Sequence, residues 1–193
     1  MSENKEKKDQ FVIAYLNNLD FAETCIEHSV QIAKILNKGL ILLHIYDPLL
    51  TEVGVDEAES KLKELNSQIT ETQMHSYISL KGETKEVISK LGQLLNAVVI
   101  VSSINTEETN KNKADNPITL LKNMKTSRVA YMICNQKRSI VDYSKVLLPL
   151  NNARESKEKT LWASYFARFF QSEITLFYRT YKDSLYQKQL NLN

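Results

Sequence analysis

The side chains with the clearest chemical potential lie between Ser102 and Asn116, in the stretch SSINTEETNKNKADN. It follows the apolar run Ala97–Val101. It precedes Pro117, which reads as the first residue of a helix capped by Asn116. A loop that leaves a buried strand and enters a helix N-terminus is where open α/β sheets bind ligands, because the free N–H groups and the helix dipole favour an anion. Whether the Ser102–Asn116 loop can hold a phosphate there therefore largely decides the function. Glu107, Glu108 and Asp115 oppose one, and Lys111 and Lys113 offset only part of that charge.

Other chemistries find little support. There is no Walker loop, no Gly-x-Ser-x-Gly elbow and no His-Glu-x-x-His pair. With four glycines in 193 residues (Gly39, Gly54, Gly82 and Gly92), no glycine-rich phosphate cradle can form. His28, His44 and His75 lack metal-ligand spacing and read as structural or surface residues. Cys25 and Cys134 read as small, reduced core residues. A net charge of +2, with lysines scattered among acids, argues against a nucleic-acid partner. No apolar run approaches the roughly 20 residues of a membrane span. The polar N-terminus carries no secretory signal, which points to a cytoplasmic protein.

The elements that must position the loop follow from periodicity. Phe11–Leu16, Leu40–Tyr46, Ala97–Val101 and Val129–Cys134 are continuous apolar runs, the pattern of strands buried on both faces. His75–Leu80 alternates as a shorter strand. Asp20 with Glu23 predicts a capping-box helix start, and Gly39 its stop. Val55, Ala58, Leu62, Leu65 and Ile69 make a second helix seam. Thr84 caps a third helix, and Asn116-Pro117 opens a fourth. Strands alternating with helices across short connections predict a doubly covered parallel sheet.

Residues 136–143 read as a linker, after which the pattern restarts. VLLPLNNARESKEKTLWASYFARFFQSEITLFYR from Val146 lies over VIAYLNNLDFAETCIEHSVQIAKILNKGLILLHI from Val12 without a gap, at an offset of 134. Leu-Asn-Asn recurs, and strand, helix and strand agree in length. Residues 1–10 then form a charged tail, 11–135 a full α/β domain, and 144–193 an incomplete second copy. Nine of the sixteen aromatics fall after Ser144. A β-α-β fragment cannot bury that much ring surface alone, so packing on another surface is expected.

This pattern resembles the universal stress protein family. The carrying residues are the first strand with Asn17-Asn18 after it, the helix with Ala33 near its end, LLHIYDP, and Ala97–Val101 with its loop. The resemblance implies a five-stranded parallel sheet of order 3-2-1-4-5 with helices on both faces, and pairing through the fifth strand. ATP-binding members carry Gly, two residues, Gly, nine residues, then Gly-Ser or Gly-Thr. With Val101 as the last strand residue, those positions become Ser102, Asn105, Asp115 and Asn116. The spacing survives and the glycines, which turn backbone donors toward a phosphate, are gone. Where the family places an acid beside the ribose, this chain has Asn17.

The resemblance therefore implies a non-catalytic stress-response protein with no cofactor, acting through homodimerisation and partner binding. Self-association is expected at the fifth-strand edge and the aromatic-rich second unit. The first alternative is an ATP-binding switch using Asn17, Ser102, Ser103, Asn105 and Asn116. The second is a slow nucleotide hydrolase.

Overall fold

The computed structural model describes residues 9–46, 54–72, 74–104, 117–124, 129–135, 142–150 and 156–178. The chain divides into two units, 1–139 and 140–193. The first contains β1 (Phe11–Tyr15), a 3-10 turn (Leu19–Phe21), α1 (Ala22–Leu36), β2 (Gly39–Tyr46), α2 (Val55–Ser67), β3 (His75–Lys81), α3 (Thr84–Leu94), β4 (Ala97–Ile104), α4 (Pro117–Met124) and β5 (Ala130–Asn135). The second contains β6 (Lys145–Leu150), α5 (Ser156–Phe170) and β7 (Glu173–Tyr178).

In the first unit the strands pair in parallel in the order β3-β2-β1-β4-β5, as the apolar runs require of strands buried on both faces. On one face Ile13, Tyr15, Leu43 and Ile100 meet Ile88 of α3 and Leu120 and Met124 of α4 in a single core cluster. Each such aliphatic side chain, nearly wholly buried, contributes about 1.5–3 kcal/mol relative to exposure. The opposite face lies under α1 and α2. Small residues of α1 (Ala22, Cys25, Ser29 and Ala33) are buried there and let the helix approach closely. The Cys25 thiol donates to the Val101 carbonyl at 3.4 Å, tying α1 to β4.

Local structure departs from the expected pattern at four points. Asn18, not Asp20, opens the first helical segment: its side chain accepts from the Asp20 N–H at 2.9 Å and starts the 3-10 turn, so α1 begins only at Ala22. Helix α1 ends on Asn37 rather than Gly39. Gly39 is instead the first residue of β2, and a β-carbon there would sit 2.7 Å from two ring carbons of Phe11. Thr84 is the first residue of α3, and Glu83 takes the cap position without a side-chain bond. Strand β4 continues past Val101 through Ile104, because Ser102, Ser103 and Ile104 pair with Ile133, Cys134 and Asn135 of β5.

The second unit repeats the opening of the first. β6 pairs β7 from Lys145↔Glu173 to Leu150↔Tyr178, and β1 pairs β2 from Phe11↔Gly39 to Tyr15↔Leu43: the same register, 134 residues on. Helices α1 and α5 are both 15 residues long. Even the bond before the second strand recurs, Gly39 N–H to Gln10 carbonyl in one and Glu173 N–H to Ser144 carbonyl in the other. Inside this unit Tyr143 packs edge-on against Phe166 and tilted against Phe170, with ring centroids 5.0 and 4.6 Å away.

Candidate functional site

The sheet order changes direction between β1 and β4, the switch point beyond whose carboxyl strand ends open α/β sheets hold their ligand crevice. Leu16 delivers the chain into it. Its N–H donates to the Leu43 carbonyl at 2.8 Å, and its carbonyl accepts from His44 Nδ1 at 2.6 Å. Both polar groups of Leu16 are thereby held by β2, and Asn17 follows at the rim.

Asn17 and Ser102 are brought together there. The Ser102 hydroxyl donates to Asn17 Oδ1 at 2.9 Å, and the residues are 0% and 7% exposed respectively. Ser103 is buried too but is not part of this pair: strand alternation turns it to the α1 face, while Ser102 lies with Ile100 on the α3–α4 face. Asn105 and Asn116 lie outside the described residues. The two serines were expected to open a loop; strand pairing makes them part of the sheet instead.

Tyr131 escaped sequence reasoning, whereas His44 and Cys25, read from sequence as structural and core residues, are given backbone partners by the fold. Tyr131 of β5 packs against the α3–α4 core, and its buried hydroxyl has no hydrogen-bond partner of normal geometry among the described residues. Burial pushes its phenol well up, and the nearby Ser102 hydroxyl works weakly the other way. His44 is 1% exposed, and burial lowers its pKa against the raising effect of the Leu16 carbonyl. Because a carbonyl only accepts, Nδ1 carries the proton, and Nε2 presents a lone pair. Cys25 is fully buried; burial first, then the nearby Cys134, pushes its thiol up, and burial alone takes Cys134 up to about 12. The alternating apolar context of VAYMIC and LLHIY marks Tyr131 and His44 as inward-facing, but nothing in either run tells a satisfied polar atom from an orphan.

Taken together these groups donate and accept hydrogen bonds but hold no charge at neutral pH. The thiols stay protonated and His28 and His44 stay neutral, each lowered by burial. Among the described residues there is no cluster of three or more metal-ligating side chains, and no helix is long and apolar enough to cross a membrane.

A five-stranded parallel sheet of order 3-2-1-4-5, covered by helices on both faces and carrying a crevice at its switch point, defines a doubly wound nucleotide-binding-type architecture. More narrowly, it is the universal stress protein fold. A universal stress protein in complex with cAMP matches with a TM-score of 0.52 at 16% identity, over 67% of this chain and 99% of that one. Universal stress protein UspA from Lactobacillus plantarum matches with 0.53 at 13% identity, over 67% and 99%. One from Archaeoglobus fulgidus matches with 0.51 at 16%, over 65% and 97%. No family model matches the chain. No curated protein matches it either.

Proposed function

We propose that this chain is a non-catalytic universal stress protein that acts in the cytoplasm, in stress response, through dimerisation and partner binding and without ATP. The observation that carries the reading is the Ser102–Asn17 hydrogen bond. The two polar side chains at the rim of the crevice satisfy one another in a buried setting, so neither needs a ribose or a phosphate. The loss of all three loop glycines points the same way. Among the described residues at the crevice, the thiols are protonated and His44 is neutral, which gives no support to a hydrolase reading.

Self-association has two candidate surfaces. Among the described residues strand β5 ends the sheet, and Ile118 and Leu121 of α4 are 61% and 55% exposed. In residues 144–193, which we read as an incomplete second copy, Leu147, Leu176, Phe177 and Tyr178 are each more than half exposed. Light scattering on the full chain at micromolar concentration should give twice the chain mass. A clean monomer that binds no exposed-hydrophobe dye would remove this part of the reading.

The rival reading is a nucleotide switch. It is favoured by the surviving loop spacing and by the cAMP held by a protein of the same fold. Thermal-shift titrations with Mg-ATP and with cAMP separate the two. We expect no saturable stabilisation by either. A saturating shift that is abolished by Asn105→Trp or Asn116→Trp would establish the switch instead.

A further inference from the structure

Two buried polar atoms on adjacent strands lack a partner among the described residues: Nε2 of His44 on β2 and Oγ of Ser79 on β3. They are not independent. His44 and Ser79 are directly paired in the β2–β3 register, so their side chains leave the sheet on the same face, one strand apart. The face is the one under α2, because His75, four pairs earlier on β3 and so on the same face, reaches Asn66 of α2 with Nδ1 at 3.1 Å.

His75 shows how a histidine on this face is satisfied when a helix side chain comes within reach. His44 has no such partner. Its Nδ1–H is committed to the Leu16 carbonyl, which fixes the tautomer and leaves Nε2 as a buried acceptor. Ser79 offers one O–H donor and acceptor capacity, but it makes no hydrogen bond with Nε2. A buried acceptor and a buried hydroxyl on directly paired residues, neither with a partner among the described residues, are a setting in which a single water donates to one group and bonds the other.

We propose that His44 Nε2 and Ser79 Oγ form a binding site for one internal water. The water donates to Nε2 and bonds the serine hydroxyl. It links edge strand β3 to β2 through side chains and holds the imidazole whose other nitrogen grips Leu16. The site does not depend on whether the chain takes a nucleotide.

The test is NMR on the full chain with nitrogen-15-labelled histidine. The expected result is a His44 ring protonated at Nδ1 and bare at Nε2, with cross-relaxation between a long-lived water and the ring proton between the two nitrogens. Ser79→Thr, which keeps the hydroxyl, should preserve that water signal, and Ser79→Val, nearly isosteric with the threonine variant but without the hydroxyl, should abolish it while His44 Nδ1–H remains. Any of three wild-type outcomes overturns the site without recourse to a variant: a proton on Nε2, a serine hydroxyl proton coupled directly to Nε2, or no long-lived water at the ring. Persistence of the water signal in folded Ser79→Val overturns the role of Ser79.

Discussion

Asn37 and Gln171 hold the same left-handed backbone conformation, with φ of 51° and 54°, at the same place in two β-α-β segments of equal helix length. Each follows a 15-residue helix by one position and turns the chain toward the next strand. Asn tolerates this conformation because its short amide bonds locally; Gln has a longer stem and no such relief. Gln171→Gly should therefore stabilise the second unit by about 1 kcal/mol, and Asn37→Ala should destabilise the first by a similar amount. Urea denaturation followed by tryptophan fluorescence reports on the second unit, since Trp162 is the only tryptophan. Circular dichroism reports on the whole. A loss of stability in Gln171→Gly would contradict the strain assigned to it.

Gly39 and Phe11 are a fitted pair, adjacent in the β1–β2 register, with the ring lying where a β-carbon would go. Gly39→Ala should lower stability by about 1–3 kcal/mol as the ring is displaced. The same change in a Phe11→Val background should cost much less. Additive losses in the double variant would mean that the ring does not fill that space.

The Ser102–Asn17 bond predicts strong coupling. Ser102→Ala leaves a buried acceptor without its donor and should cost about 1–3 kcal/mol. Asn17→Ala alone should be comparably harmful, and the pair of changes less harmful than the sum, with an interaction energy of about 0.5–3 kcal/mol. A double-mutant cycle by chemical denaturation measures it, and strict additivity would remove the bond from any account of the crevice.

Acid should destabilise the first unit through its buried histidines. In the folded chain burial holds His28 and His44 below their ordinary value of 6.5, so the unfolded chain binds more protons as the pH drops below that value. The stability they confer is complete above 6.5, is lost progressively as pH falls toward their folded values, and then levels off. For His44 the slope is at most about 1.4 kcal/mol per pH unit. Urea midpoints between pH 5 and 7.5 should fall accordingly, and His44→Gln, which keeps a donor for Leu16 but does not titrate, should flatten the curve. An unchanged slope in that variant would assign the effect to His28 alone.

Most of the architecture was legible because the signals were redundant. FVIAYL and LILLHIY can only be strands buried on both faces, and helical spacing between them dictates crossovers, so the order 3-2-1-4-5 follows once the family pattern is seen. Leu-Asn-Asn and an ungapped offset of 134 suggest a repeat, and β1–β2 and β6–β7 have the same pairing register with helices of equal length between them. The site was less legible because its groups act in pairs across strands. Ser102 and Ser103 look like a loop when read along the chain; sheet pairing and the Asn17 acceptor, 85 residues away, bury one of them. Gly39 looks like a helix stop until the Phe11 ring is placed against it. His44 reads as unremarkable because its tautomer depends on a carbonyl 28 residues earlier.

The shared register of β1–β2 and β6–β7 has a consequence for how the chain reaches its fold. β1 must recruit β4 across a long stretch, with Ala14 beside Val101, whereas β6–α5–β7 closes locally. Local closure is fast and distant strand recruitment slow. During synthesis β1 takes β4 before β6 exists. On refolding from denaturant the whole chain is present at once, and β1 and β6, which share a register with their own following strands, are both available before β4 is placed. Vectorial emergence from the ribosome separates those two strands in time.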